Sequence, residues 1–346
     1  MTSPGLRTAT AAATDVGRKR SGNEDSYDIW VSDELGREHA ADTLLVVCDG
    51  MGGSNAGEVA SRMAVEAVIR TFSEDTGTDG VAALTRAIET ANLEVHEHSR
   101  SRSDLAGMGT TCTIVALKGD RVMLAHVGDS RAYLVRRGRI RQLTTDHSLV
   151  AQLVARKQLT PEEAKTDPRR NVVTRSVGVG PVVEVDAQEL EEPLQPGDTL
   201  LVCSDGLHGQ VTDDELARTA SGESLERACR ELIQLANERG GPDNITVALA
   251  RLEGPDGGVE IAPPARRAAH SPGGGSGKRP APAPAAPAKR TGSRHRTLQL
   301  LIVAFIALAL VLSGIAWVVF GMMRAEKGPQ GSAIADDRVE DQVAWR

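Results

Sequence analysis

The run "DTLLVVCDGMGG", Asp42 to Gly53, returns far down the chain as "DTLLVCSDGLHG", Asp198 to Gly209. Each copy is a short apolar stretch that ends in Asp-Gly. Runs of this length, bounded by turn residues, read as buried strands. The flanks "MGGSNAGEVAS" and "LHGQVTDDE" share little, and no fixed period recurs, so the pair is not an internal repeat. The expectation is physical convergence: two buried strands, each delivering one carboxylate to the same end of the fold.

Around these runs, residues 1–254 alternate strand-like and helix-like patterns. "NAGEVASRMAVEAVIRTF" places Val59, Met63, Ala67 and Val68 on one helical face, and the next segment does so with Leu84, Ile88, Ala91 and Val95. A third helix is expected at "ESLERACRELIQLANERG", with Leu225, Cys229, Leu232 and Leu235 or Ala236 at helical spacing. "TTCTIVAL", "RVMLAHVGDSRAYLVRRGRIRQL", "VVEVDAQEL", "TLLVCSDG" and "DNITVALARL" read as strands. Strands in consecutive runs, with helices between the blocks, point to an α+β fold with antiparallel sheets covered by helices. His96 and His98 lie at the polar end of the second helix, with no HExxH around them, and read as solvated.

The remaining 92 of the 346 residues divide into three zones. Residues 255–297 are rich in Pro, Gly, Ala and basic residues, a disordered linker that cannot form a core. Residues 298–320 carry no charge over 23 positions. At about 1.5 Å per residue they span a hydrocarbon core of about 30 Å, as one transmembrane helix. A polar tail, 321–346, follows. Lys278, Arg279, Lys289, Arg290, Arg294 and Arg296 precede the apolar segment. By the positive-inside rule they put the large domain in the cytoplasm and the tail outside, on a single-pass inner-membrane protein. The N-terminus has no apolar secretory region.

Composition excludes several functions. Net charge is −7 and aromatics are 2 %, which oppose nucleic-acid binding through bulk charge or stacked bases. Cys48, Cys112, Cys203 and Cys229 are scattered without a CxxC pair and read as small buried hydrophobes. "GMGGSNAG" and "GMGTT" complete neither GxxxxGK[ST] nor GxGxxG, which opposes a nucleotide-binding role.

The acids at strand ends carry the chemistry. Asp49 and Asp205 end the two opening runs. Asp129 follows "VMLAHVG", Asp243 precedes the last strand, and Glu24 and Asp25 precede "SYDIW". One aspartate at a strand end is ordinary turn chemistry. Several, followed by Gly or Ser, suit hard cations such as Mg²⁺ or Mn²⁺, which take carboxylates and waters and leave positions open for phosphate oxygens. Gly50 and Gly206 would let the backbone turn sharply beside a ligand. Arg20, four residues before Glu24, offers a guanidinium fork for a phosphate dianion.

The series "RSGNEDS", "DGMGG", "GMGTTC", "HVGDSRAYLVRRGRIRQLTTDHS", "TRSVG", "SDGLHG" and "GPDNITV" resembles the bacterial metal-dependent serine/threonine phosphatases of the protein phosphatase 2C type, over about residues 8–252. The resemblance implies a four-layer α-β-β-α sandwich with the metal cleft at one end. It implies that Asp49 bridges two catalytic ions, Mn²⁺ or Mg²⁺, and that the Gly50 carbonyl binds one of them. Asp205 and Asp243 would hold the other, Glu24 and Asp25 would orient metal-bound waters, and Arg20 would grip the phosphate. Asp129 would join Asp205 at a third, weaker ion. Residues 148–175 would form a mobile flap beside the cleft. Substrates would be phosphoserine and phosphothreonine in proteins, attacked directly by a hydroxide bridging the ions. The partner would be a serine/threonine kinase whose action is opposed, and the catalytic domain would be monomeric.

One position departs from many eukaryotic relatives. Met51 stands where they carry the His that protonates the leaving group, and a thioether cannot donate a proton. The expectation is a metal-bound water as acid, with His208 a weaker alternative. A competing reading, an inactive signalling module on the same fold, is opposed by the retention of Arg20, Asp49, Asp129, Asp205 and Asp243.

Overall fold

The two quoted runs form strands whose neighbours are all antiparallel. A computed structural model of the chain describes residues 6–32, 39–53, 55–75, 77 and 79–254. The expected linker 255–297, transmembrane helix 298–320 and tail 321–346 lie outside the described residues. Among the described residues no helix is long and apolar enough to cross a membrane. The strands are β1 (Arg7–Asp15), β2 (Asp25–Val31), β3 (Thr43–Met51), β4 (Gly109–Thr110), β5 (Cys112–Lys118), β6 (Arg121–Val127), β7 (Arg131–Arg136), β8 (Arg139–Gln142), β9 (Asp186–Glu189), β10 (Thr199–Cys203) and β11 (Ile245–Glu253). The helices are α1 (Ala56–Glu74), α2 (Gly80–Ser101), α3 (Leu149–Ala155), α4 (Pro161–Thr166), α5 (Asp205–His208), α6 (Asp213–Ala220) and α7 (Leu225–Glu238). One sheet runs β1-β11-β10-β7-β8 and the other β2-β3-β5-β6-β9, with β4 paired to the end of β3.

Period-two alternation sorts β3 and β10 into layers. Leu45 and Val47 of β3 meet Leu200 and Val202 of β10 and Ala248 and Ala250 of β11 in a core between the sheets. Leu44, Val46 and Cys48 face the other way and pack with α1 and α2. Leu201 and Cys203 pack with α6 and α7. Both faces of both central strands are therefore covered, which is why their sequences are apolar throughout rather than alternating. The result is the expected α+β sandwich of two antiparallel sheets flanked by helices.

Local expectations hold for α2 and α7 and shift in α1. Leu84, Ile88, Ala91 and Val95 of α2, and Leu225, Cys229, Leu232 and Ala236 of α7, are buried as their spacing requires. In α1 the buried row is instead Ala56, Ala60, Ala64, Ala67, Val68 and Phe72, while Val59 and Met63 are only partly covered. The small side chains let the helix lie close on the sheet. Strand β1, "RTATAAATD", carries a weak strand signal because alanine is depleted in strands. Nine residue pairs with β11, from Arg7↔Glu253 to Asp15↔Ile245, hold it in place. All four cysteines are free and buried.

The aspartates that open the two runs have structural work. Asp42 Oδ2 accepts the Gly119 N–H at 3.1 Å. Asp198 is 2 % exposed; it accepts the Gln195 N–H at 2.7 Å and a bidentate contact from Arg136. They fix the strand starts. The candidate site residues stand at the opposite ends of these strands.

Candidate active site

Antiparallel pairing brings the acidic strand ends to one pole. In the β2–β3 ladder Asp25 lies directly opposite Asp49. Like charges so placed are destabilising unless something neutralises them. In the other sheet Cys203 pairs with Val247 on one side and with Arg131 on the other. This sets Asp205, Asp243 and Asp129, each just beyond those positions, at the same pole. A Cβ built on Gly206 would lie 3.5 Å from Asp243 Cβ, so these two turns touch.

Arg20 reaches into this cluster from the loop between β1 and β2. Its Nη2 donates to Asp243 Oδ2 at 2.8 Å, and its Nη1 lies 3.7 Å from Glu24 Oε2. The guanidinium side chain is 47 % exposed and so faces incoming solute. Asn244 holds the loop: its Oδ1 accepts Glu24 N–H at 2.8 Å, and its Nδ2 donates to Val16 O and Gly22 O, both at 2.9 Å.

The carboxyls are out of their usual range. Burial pushes Asp25 up to about 7, against hydrogen bonds from Thr246 and Ser204 and with help from Asp205 and Asp243. Burial, with Asp205 and Asp146 adding to it, pushes Asp129 up to about 7. Burial and Asp243 push Asp205 up to about 6. Asp49 is driven well above the carboxylate range by burial and by Asp25, Asp205, Asp129 and Asp243. Glu24 is raised by burial, with Arg20 opposing. Carboxyls buried this close together resist ionising together unless a counter-ion is present.

Two of these oxygens are orphaned. Asp25 Oδ1 and Asp205 Oδ1 are buried without a hydrogen-bond partner, although Asp25 Oδ2 accepts from Ser204 Oγ and Thr246 Oγ1, each at 2.7 Å. Buried acceptors left bare cost about 1–3 kcal/mol each. Among the described residues no three Asp, Glu, His or Cys side chains form a finished cage. Mg²⁺-like ions retain waters and accept backbone carbonyls, so the donor set fits them without one. The pole therefore suits divalent cations on oxygen ligands.

Stability follows with a definite sign. Folded-state values near 6–7, above the ordinary 3.9 or so, mean that the folded chain binds more protons than the unfolded one between those limits. The stability this confers is complete below about pH 4 and lost as pH rises through about 6–7. A cation bound there would replace the protons. The rise in Tm on adding Mn²⁺ is thus expected to be small at pH 5 and large at pH 8 by calorimetry. A rise of equal size at both pH values would contradict the carboxylate cluster.

Several expectations change. Neither Gly50 nor Gly206 has positive φ. Their glycine is required by close backbone approach, not by a sharp turn: a Cβ would meet Gly57 O at 2.0 Å and Asn244 O at 1.9 Å, respectively. His208 is committed elsewhere, its Nε2 lying 3.0 Å from Asp129 O. A carbonyl only accepts, so Nε2 carries the proton. Burial pushes the ring down to about 4, so it stays neutral and ties the Asp205 turn to the Asp129 turn. His96 is half-buried, with Nδ1 3.1 Å from Gly178 O, rather than solvated. Residues 148–175 hold two short helices, α3 and α4, joined by turns. Thr160 and Glu163 form a capping box at the start of α4, with Pro161 in its first turn. Met51 pairs with Gly109 across β3–β4.

Other residues of the site escaped the sequence reading. Asp49 N–H donates to Thr111 Oγ1 at 2.8 Å, and Thr111 Oγ1 is 2.8 Å from Ser130 Oγ, a buried link between the Asp49 and Asp129 turns. Arg131 grips Asp146 through two nitrogens, with Nε–Oδ1 at 2.8 Å and Nη2–Oδ2 at 2.6 Å. Ser204, Thr246 and Asn244 adjoin ligand candidates in the quoted motifs, and that adjacency was the available signal.

Comparison with known proteins agrees with this geometry. Residues 18–250 match the family model for protein phosphatase 2C. The serine/threonine phosphatase stp of Listeria monocytogenes is 39 % identical over 245 residues, covering 69 % of this chain and 94 % of that one. The serine/threonine protein phosphatase PstP of Mycobacterium tuberculosis is 38 % identical over 240 residues, covering 69 % of this chain, which spans 44 % of that relative. The crystal structure of the PstP catalytic domain in complex with two manganese ions superposes with a TM-score of 0.61 at 34 % identity, over 72 % of this chain and 99 % of that one.

Proposed function

Because the chain belongs to the protein phosphatase 2C family and is a serine/threonine protein phosphatase, we propose that it hydrolyses phosphoserine and phosphothreonine in proteins at the acidic pole, with two Mn²⁺ or Mg²⁺ ions. The observation that carries the site assignment is the pair of buried, unpartnered oxygens, Asp25 Oδ1 and Asp205 Oδ1, beneath a half-exposed arginine. Asp49, the Gly50 carbonyl, Asp205 and Asp243 are the ligands, Glu24 and Asp25 position waters, and Asp129 with Asp205 serves a weaker third site. When bound, the ions supply hydroxide at neutral pH and offset the charge that builds on the phosphoryl oxygens. Arg20, now bonded to Asp243, turns its free donors to the phosphate dianion and holds it in line. Water oxygen bonds to phosphorus as the serine or threonine oxygen leaves with a proton, and no phosphoenzyme forms. His208 is not the acid, because its Nε2–H serves Asp129 O; a water held by the metal site would supply that proton.

The apolar segment 298–320 anchors the chain to the inner membrane with its catalytic domain in the cytoplasm. There it opposes a serine/threonine kinase, which rests on analogy with the family. The decisive experiment is single-turnover hydrolysis of a phosphothreonine peptide by the full-length chain in ¹⁸O-labelled water. Label is expected in phosphate in the first turnover with Mn²⁺, and hydrolysis is expected to vanish with chelator. Trapping of a phosphorylated side chain would refute direct attack, and no hydrolysis under any metal would favour the inactive module.

A further inference from the structure

A second polar node lies beside the Asp129 turn and is built around His147. The ring is 7 % exposed. Gly128 N–H donates to its Nδ1 at 3.0 Å, and His147 N–H donates back to Gly128 O at 2.6 Å. An amide N–H only donates, so Nδ1 is bare and the ring proton sits on Nε2. That Nε2–H donates to Asp186 Oδ2 at 3.1 Å, at the start of β9. Arg175, at the exit of the helical flap, completes the node. Its Nη1 donates to Asp186 Oδ1 at 2.6 Å and lies 3.1 Å from His147 Nε2, which as an N–H cannot accept from it, and its Nη2 donates to Glu184 Oε2 at 2.9 Å. Thr174 N–H donates to His147 O at 2.7 Å.

The flap needs this node. Neither α3 nor α4 buries a single residue. Leu149, Val150, Leu153 and Val154 of α3 are only half-buried, so little packing fixes the segment. Its position depends on its roots: the Ser148–Val173 bridge, the Leu149 N–H to Val172 O bond of 2.8 Å, and the Arg175–Asp186–His147 contacts. The same imidazole that holds the exit root also holds the peptide before Asp129. One rigid ring therefore spans the turn that carries a candidate metal ligand and the base of the flap.

We propose that His147 is a positioning residue that couples cation binding at the Asp129 turn to the placement of the flap. The proposal rests on the reading of Asp129 as a metal ligand. Side-chain geometry separates its two halves. In His147→Asn the amide oxygen replaces Nδ1 and keeps the Gly128 bond, but nothing reaches Asp186. In His147→Gln the longer amide replaces Nε2 and keeps Asp186, but the Gly128 bond is lost. Asp186→Ala, at a half-exposed carboxylate, cuts the flap half without touching the core.

The test pairs hydrogen exchange of residues 148–175, with and without Mn²⁺, with Mn²⁺ titration by electron paramagnetic resonance, all on the full-length chain. In the wild-type protein Mn²⁺ is expected to slow flap exchange. His147→Asn and Asp186→Ala should bind Mn²⁺ as the wild type does yet lose that metal-dependent slowing. His147→Gln should weaken the loosest Mn²⁺ site by about 10–100-fold, as loss of a ligand-orienting partner does. Variants that match the wild type in both readouts would overturn the coupling. If the histidine variants fail to fold, Asp186→Ala decides alone. Failure of the site reading is separately visible, since the wild type would then bind no Mn²⁺.

Discussion

Asp205→Asn is expected to lower Mn²⁺-dependent phosphopeptide hydrolysis by about 10³-fold, equivalent to about 4 kcal/mol of transition-state stabilisation. Asp205 is the acid with the widest reach at the pole. It is raised by Asp243, it raises Asp49, Asp129 and Asp25, and its Oδ1 is buried without a partner. The amide keeps the volume and removes the charge that draws a cation. The same change should raise the Tm of the metal-free protein by a few degrees at pH 8, because it removes one of several carboxylates that repel one another. Loss of activity together with a gain in metal-free stability is the signature of a functional acid. Activity kept at the wild-type level would show that the ligand set is misplaced, and a fall in metal-free Tm would show that Asp205 is structural.

Gly50→Ala is expected to destabilise the fold by about 3 kcal/mol or more, a fall in Tm of about 10 °C. The added Cβ would meet Gly57 O at 2.0 Å and Glu24 O at 2.6 Å. Both are backbone atoms, one in the first turn of α1 and one in the loop that carries Arg20, so no side-chain rotation relieves the clash. Gly50 N–H also donates to Glu24 O at 3.0 Å, which fixes the approach of the two segments. Gly53→Ala is the control. Its Cβ meets nothing within 4 Å, and its effect should stay within about 0.5 kcal/mol. Equal melting temperatures for the two variants would contradict the close approach of β3 and α1.

The contrast between these glycines marks how far the sequence could be read. "DGMGG" contains three glycines of one type. Only the fold distinguishes Gly50, wedged between two carbonyls, from Gly53 in open space. The helical face of α1 behaves similarly. Hydrophobicity favoured Val59 and Met63, but the tight fit against the sheet chose the alanine row. His208 and Thr111 were visible as polar residues near acids. Their roles depend on which backbone atom lies 3 Å away, and no linear spacing encodes that.

What the sequence determined by itself is the set of strand ends and their chemistry. Apolar runs bounded by Asp-Gly, Asp-Ser or Asp-Asn turns place carboxylates at β-strand termini through local pattern alone. The candidates Glu24, Asp25, Asp49, Asp129, Asp205 and Asp243 were legible on that basis, and Arg20 from its place four residues before Glu24. What only the tertiary structure decided is how these groups act on one another. Antiparallel pairing sets Asp25 across from Asp49, burial raises their pKa values together, and two histidines far apart in sequence clamp the single turn at Asp129. Charge repulsion, desolvation and hydrogen bonding all act over a few ångströms of space, and residues separated by 79 and 19 positions acquire that proximity only when the sandwich closes.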